Sequence, residues 1–262
     1  MRLASAPVTW GVWERTVGRD DLVPPELLLE TMRGLGYTAT ELGPPGYFSP
    51  RLLEQHAMEL VGGFAPLRFE DEDAFHEDVE TWLDPVIEIL RATGARGPVV
   101  LAGGEVGGRH DPPDDAFFER VNRAVERAQA RGVPVVFHHH AGTFIETPAE
   151  IEALLANTEV GICYDCGHAV AGGGDAVEVA RMCRGRIEHL HLKDVDPVTG
   201  SFCPFGDGAV DFDGVLRELD GYDGWTVLEQ DRVAVRAEDL PAVRAVEAAN
   251  LEFIRSRDGH AH

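Results

Sequence analysis

Eight short apolar runs, each followed by a longer helical pattern, recur along this chain, and that alternation constrains its fold more than any single motif. The runs cover residues 3–8, 38–42, 60–66, 98–102, 133–137, 160–164, 187–192 and 225–228. Runs of this length, bounded by turn residues, read as buried strands. Helical periodicity covers 25–35, 50–58, 73–92, 114–131, 148–156, 175–183, 213–219 and 239–255. Several of these stretches open on Pro or Asp and close on glycine, as at Gly36, Gly94, Gly132 and Gly221, the punctuation of helix ends. Eight β-then-α units predict an α/β fold: a single (β/α)8 TIM barrel spanning residues 1–262 as one domain. A doubly wound open sheet is the competing arrangement. It would carry a Gly-rich phosphate loop after the first strand, where this chain has Trp10-Gly11-Val12-Trp13-Glu14.

Charge narrows the class of partner. With 23 Lys and Arg against 46 Asp and Glu, the formal net charge is −23, which repels phosphate backbones and anionic lipid surfaces. Neither a nucleic-acid nor a membrane partner is expected. No apolar run reaches the roughly 18 to 20 residues that span a bilayer, and the first residues lack a signal-peptide core. Four cysteines do not make the dense framework of a small secreted domain. The expected location is therefore the reducing cytoplasm. Cys163 and Cys166 form one C-x2-C pair with no second pair to complete a structural zinc site.

A barrel makes a sharp demand, because its site lies where the strands' C-terminal ends meet the following loops. Strand two ends in Glu41, strand five in His138-His139-His140, and strand six in Asp165-Cys166-Gly167-His168. Strand seven ends in His191-Leu192-Lys193-Asp194 and strand eight in Glu229-Gln230-Asp231-Arg232. Asp165, His191 and Glu229, on three successive strands, make a mixed oxygen and nitrogen set suited to a divalent cation: Mn2+, Co2+, Mg2+ or Zn2+. The fourth ligand is Glu146, in the loop after strand five, or alternatively His138. Each residue also has an ordinary structural role open to it. Asp165 can cap a turn, and His189, one layer below His191, reads as a satisfied core group. Three unrelated caps, however, have no reason to coincide at one barrel mouth. His140 shares a strand face with His138 and suits proton transfer near neutral pH. His168 can hold substrate or orient a ligand, and Lys193 can stabilise an enolate oxygen or snorkel outward. Trp10 and Trp13 form an apolar wall over a sugar ring or plug the barrel top.

These strand-end motifs resemble the xylose-isomerase-like superfamily of TIM-barrel sugar isomerases, epimerases and dehydratases, and within it the 2-keto-myo-inositol (inosose) dehydratase family. The resemblance rests on Ala6-Pro7-Val8-Thr9-Trp10-Gly11-Val12-Trp13-Glu14, Glu41-Leu42-Gly43-Pro44-Pro45-Gly46-Tyr47, the three histidines 138–140 with Ala141-Gly142-Thr143, and Tyr164-Asp165-Cys166-Gly167-His168. It continues through His189-Leu190-His191-Leu192-Lys193-Asp194, the segment 202–208 and the segment 221–232. It implies a metal-dependent carbon–oxygen lyase that dehydrates a keto-polyol such as 2-keto-myo-inositol through an enediolate. The alternative is a metal-dependent ketose isomerase or epimerase using the same site. The metal set implied is Asp165, His191 and Glu229 with Glu146 or His138, and Mn2+ or Co2+ stands first, with Mg2+ or Zn2+ as alternatives. The catalytic groups implied are His140, His168, Lys193 and Glu41, and the substrate contacts Trp10, Trp13, His138 and Arg232. The partner is a small polyol or keto-sugar, and homo-oligomers are common in the superfamily. Two departures stand out: many members have Glu where this chain has His138, and the dehydratases often have Pro where it has His139.

Overall fold

The computed structural model describes residues 1–16, 18–104, 111–232 and 235–258. Nine strands form one parallel sheet: β1 (Arg2–Ser5), β2 (Ala39–Thr40), β3 (Glu59–Leu60), β4 (Gly63–Leu67), β5 (Val99–Gly103), β6 (Val135–His138), β7 (Gly161–Asp165), β8 (Ile187–Leu192) and, after a small hairpin of β9 (Asp194–Val195) with β10 (Phe202–Cys203), β11 (Trp225–Leu228). The order is β3-β2-β1-β11-β8-β7-β6-β5-β4. Its two ends are successive pieces of one strand, parted only by Val61 and Gly62. The sheet therefore closes on itself with eight strand positions, as the alternating pattern predicts.

The break in the third strand has a steric cause. A Cβ on Gly97 would lie 1.9 Å from the Val61 carbonyl oxygen, and one on Gly63 would lie 2.6 Å from Val86 Cγ1. Backbones meet there at a separation that only glycine permits. Single bonds carry the ladder past the break: Leu42 N–H donates to Gly62 O (3.0 Å) and Gly63 N–H to Pro98 O (3.1 Å).

Other differences from the sequence reading are local. The first strand stops at Ser5, because Pro7 has no N–H for a ladder and instead starts a 3-10 turn, Pro7–Trp10, closed by Gly11 at φ 77°. The helix expected over 73–92 runs as Glu72–Asp78, a π turn at Val79–Leu83, and Asp84–Thr93. A further helix, Cys166–Ala171, directly follows β7, capped by Asp165, whose Oδ1 accepts from His168 N–H at 2.9 Å. Oxygen caps also open helices 115–129 (Asp114), 148–157 (Thr147) and 176–182 (Asp175), each worth about 1 kcal/mol.

Strand periodicity positions the site. Val99 and Leu101 face the helix-packed core, while Val100, Val136 and Cys163 cluster separately inside the barrel. The inward set continues two residues at a time, from Val136 to His138, Cys163 to Asp165, His189 to His191, and Val227 to Glu229. Register puts Asp165 opposite His191, and His191 opposite Val227. The apolar layers of the barrel thus end in a polar layer at the strands' C-terminal ends.

Candidate active site

One ligand atom from each of Asp165, His191 and Glu229 falls within 4.8 Å of the others, and all three residues are buried. Asp165 is fully buried yet its Oδ2 makes no hydrogen bond, and the Nδ1 atoms of His191 and His138 are likewise buried without one. Orphaned polar atoms cost about 1–3 kcal/mol each unless something satisfies them. His191 Nδ1 lies 3.0 Å from Glu229 Oε2 and 3.8 Å from Asp165 Oδ2. The His138 ring stands edge-on to that of His191 with centroids 4.9 Å apart. Converging carboxylate oxygens and imidazole nitrogens with unused lone pairs fit a divalent cation. Asp165 caps a helix with Oδ1 and turns Oδ2 toward this set.

Glu41 determines which nitrogen of His191 is free. Its Oε1 lies 2.8 Å from His189 Nε2 and 3.0 Å from His191 Nε2. A carboxylate only accepts, so both rings donate from Nε2, and neutral His191 keeps a lone pair on Nδ1. A cation held at Nδ1 would complete a carboxylate–histidine–metal arrangement, in which an outer acid fixes the tautomer of the ligand. Burial alone would raise the Glu41 pKa, but the charge on His191 and the hydrogen bonds from His189 and His191 outweigh it and hold the carboxyl well below its usual range. Accepting from two histidines, Glu41 has a geometry that would orient His191 as a ligand. Gly62 makes the room, since a Cβ there would lie 3.0 Å from Glu41 Oε1.

Lys193, 2 % exposed, continues the inward face of β8. Its Nζ lies 3.2 Å from Asp165 Oδ2, 2.9 Å from Glu229 Oε2 and 3.0 Å from Asp231 Oδ1. Burial opposes its charge, but Asp165, Asp231 and Glu229 outweigh burial and raise its pKa well above the ordinary lysine value. The snorkelling alternative is therefore not taken. Beside it, the His140 and His168 rings stack with centroids 3.8 Å apart. Burial first, then the charge of Lys193, lowers the His140 pKa. Burial, followed by His140 and Lys193, holds His168 well below the usual imidazole value.

These groups open onto a cavity of about 840 Å³ whose wall includes His138, His140, His191, Lys193, Glu229 and Asp231. Trp13 and Arg232 also line it, and Arg232 donates to Gln230 Oε1 (2.7 Å). Three expected residues lie elsewhere. Trp10 is fully buried in the core with its indole N–H on Ser5 Oγ (3.1 Å), the plug rather than the sugar wall. His168 sits behind His140, 1 % exposed. Glu146 precedes helix 148–157, its backbone N–H donating to Glu150 Oε2 (2.9 Å), and it belongs to none of the ligand groups found among the described residues. Glu146 lies eight residues past the end of β6, whereas His138 is the last residue of that strand.

Sequence reasoning passed over Glu14, Arg68 and Asp231, all on the cavity wall. Burial, set against a backbone hydrogen bond, raises the Glu14 pKa to about 7. Arg68 follows β4 and is held by Asp78 through bonds of 2.8 and 2.6 Å. The signal for it was available, since polar residues follow strand three just as they follow strands five to eight. The β9–β10 hairpin places Phe202 on the wall, its ring 4.9 Å from that of His168. Asp194 anchors the loop behind it through Gly206 N–H (2.8 Å) and Gly208 N–H (3.0 Å).

Comparison with known proteins agrees with this architecture. The chain is 31% identical to an inosose dehydratase of Geobacillus kaustophilus, with 88% of this chain and 87% of that protein covered. It is 33% identical to the rhizopine catabolism protein MocC of Rhizobium meliloti, covering 92% and 84% respectively. Among solved structures, the IOLI protein with a binding zinc atom superposes with a TM-score of 0.74 at 18% identity, over 99% of both chains. Residues 31–256 match the family described as xylose isomerase-like TIM barrel, and the chain belongs to that family.

Proposed function

We propose that this enzyme is a divalent-metal-dependent dehydratase that removes water from a keto-polyol such as 2-keto-myo-inositol. At the coarser level it is a sugar-modifying enzyme, a dehydratase or an epimerase/isomerase. The observation that carries the finer reading is the buried set of Asp165 Oδ2, His191 Nδ1 and Glu229 Oε2, the first two without a hydrogen bond, with an outer carboxylate that fixes the His191 tautomer. His138, whose ring stands edge-on to that of His191 with centroids 4.9 Å apart, is the fourth ligand in this reading. A bound cation would supply Lewis acidity toward a ketone and its neighbouring hydroxyl. The ion is Mn2+ or Co2+ in this reading, with the zinc bound by the IOLI protein as the alternative.

The chain's own residues do the remaining work. His140, on the cavity wall, moves the proton beside the carbonyl. Lys193 brings a fixed positive charge to the polar layer where negative charge develops. Trp13 covers the sugar ring, and Arg232 bonds its hydroxyls. We take residues 1–262 as one barrel domain, acting on a small polyol in the cytoplasm. No helix of the described residues is long and apolar enough to cross a membrane.

Incubating metal-loaded protein with 2-keto-myo-inositol, and in parallel with ketohexoses and pentuloses, tests the reading. A new diketone absorbance is expected. An isobaric sugar product would replace dehydration with isomerisation at the same site. His138→Ala is expected to lower bound metal, and Glu146→Ala to leave it unchanged; the reverse result would restore Glu146 as the fourth ligand.

A further inference from the structure

The closed ring of strands divides the barrel mouth into two unlike halves. Taken around the ring in the order β1, β2, β3–β4, β5, β6, β7, β8, β11, the strands that carry Asp165, His191 and Glu229 into the mouth are consecutive, and β4 stands four places from β8. In a ring of eight positions, four places is directly across. The residues after β4 therefore face the proposed cation position from the far side. They include Arg68, Glu70 and Trp82, all on the cavity wall.

Arg68 is held in one orientation. Its backbone N–H and Nε both donate to Asp78 Oδ2 (2.7 and 2.8 Å), and Nη2 donates to Asp78 Oδ1 (2.6 Å) and Glu77 Oε2 (2.9 Å). Asp78 is buried, and a carboxylate paired in this two-pronged way fixes the plane of the guanidinium. These bonds use Nε and Nη2. The N–H groups of Nη1 have no acceptor among the described residues.

Trp82 belongs to the π turn Val79–Leu83. The extra residue of that turn lets Leu83 take a fully buried core place, while Trp82 is half-buried and lines the cavity. Single π turns inside helices recur at functional sites. The end of β5 adds Gly103 and Gly104 to the wall. A Cβ on Gly104 would lie 3.1 Å from Arg68 Cγ and 3.3 Å from Glu70 Oε1, so bare backbone there makes the room for both side chains. The cavity holds about 840 Å³, toward the top of the roughly 300–1,000 Å³ that encloses a drug-sized ligand. One polyol ring at the cation position fills only part of it.

We propose that the half of the cavity bearing Arg68 and Trp82 is a second subsite, which takes an uncharged sugar ring O-linked to the keto-polyol. The indole offers a flat apolar face to the C–H groups of such a ring, and Arg68 Nη1 donates to its hydroxyls. Charge selects a neutral group. Arg68 is already matched by Asp78 and Glu77, and Glu70 adds another carboxylate to the wall. A phosphate or carboxylate substituent would meet net negative charge there. Arg68 and Trp82 set specificity, and Asp78 is a positioning residue.

The chemistry of this larger substrate rests on the dehydratase reading, but the subsite is read by binding alone, so either can fail without the other. Calorimetry on the full chain loaded with Zn2+ compares myo-inositol with its mono-O-glucosides, which lack the ketone. At least one glucoside is expected to bind at least tenfold tighter than myo-inositol. If none binds tighter, the proposal is overturned. An inositol monophosphate that binds tighter than every glucoside would overturn the choice of a neutral group. Trp82→Leu keeps an apolar side chain without the ring face, and Arg68→Lys keeps a positive charge for Asp78 without the Nη1 donors. Each is expected to bring the ratio of the two Kd values to within threefold of one. A tenfold ratio that survives in both variants would overturn the assignment of the subsite to these residues. In turnover, the 2-keto form of the tightest-binding glucoside is expected to have a kcat/KM at least tenfold above that of 2-keto-myo-inositol, and a lower value for the glucoside would remove the second ring from the substrate.

Discussion

The Glu41→Gln substitution isolates the orienting role of the outer carboxylate. Glu41 Oε1 accepts from His189 at 2.8 Å and from His191 at 3.0 Å, in a place where Glu41 is 4 % exposed. Hydrogen bonds to a charged group contribute about 1.5–3 kcal/mol, against about 0.5–1.5 kcal/mol for neutral ones. A glutamine of the same shape therefore loses about 2–3 kcal/mol over the two bonds. At about 2–4 °C per kcal/mol for a chain of this size, the metal-free melting temperature should fall by about 4–12 °C. The second effect falls on the cation. An amide pins the His191 tautomer poorly, and loss of such an outer partner typically weakens metal affinity about 10–100-fold. At a free metal concentration of about 100 times the wild-type Kd, the native protein gains about 2.7 kcal/mol from binding, while the variant gains only about 0.4–1.4 kcal/mol. Thermal melts with and without Zn2+, with Kd from calorimetry, separate the two losses. The sign of the pH effect is also fixed. A carboxyl held below its ordinary value of 4.5 contributes stability that is present above that value and lost as pH falls below it. The variant should lack this loss. An unchanged Kd, or an equal metal-induced gain in both proteins, would refute the orienting role.

Other perturbations test other parts of the fold. Lys193 Nζ uses the same Asp165 and Glu229 oxygens that face the cation position, so Lys193→Met should tighten divalent metal binding at least tenfold by calorimetry while abolishing turnover; weaker binding would contradict the shared position. Glu247, 1 % exposed and bonded to Tyr37 (2.5 Å) and Asn250 (3.3 Å), has its pKa raised from 4.5 to about 7 by burial against those bonds. Its stabilising protonated form is fully present below pH 4.5 and lost as pH rises through about 7, a change of about 3 kcal/mol. Glu247→Gln should flatten that part of the denaturant-derived stability curve, and an unaltered slope would reject the assignment. Gly97→Ala, which drives a Cβ into the Val61 carbonyl, should cost more than about 3 kcal/mol in urea unfolding; a loss under 1 kcal/mol would mean that the backbone yields freely.

Regular periodicity made the barrel legible, because every strand alternates inward and outward residues and every helix has a two-sided burial pattern. The same rule brings Asp165, His191 and Glu229 together from the sequence, since residues at equivalent strand ends must share one mouth. It failed where position depends on how a loop leaves the strand. Glu146 lies eight residues past the end of β6 at His138, and nothing in its spacing shows that its backbone N–H is taken up by Glu150. Trp10 failed for a related reason, because Pro7 converts the expected strand end into a turn that carries the indole into the core. The role of Glu41 was hidden by distance along the chain: its two partners lie 148 and 150 residues away, and no local pattern reports such a pairing.

The parted third strand also bears on how the enzyme breathes. A closed barrel has no edge, so its loosest line is where the ladder is thinnest, and here that line runs through Val61 and Gly62. Gly62 is also the residue against which Glu41 Oε1 rests. A fluctuation that opens the seam would separate the outer carboxylate from both imidazoles at once, allowing His191 to exchange one tautomer for the other. The rate at which the site takes up or surrenders its cation would then be governed by the backbone of the third strand, on the far side of the barrel from the ligands themselves.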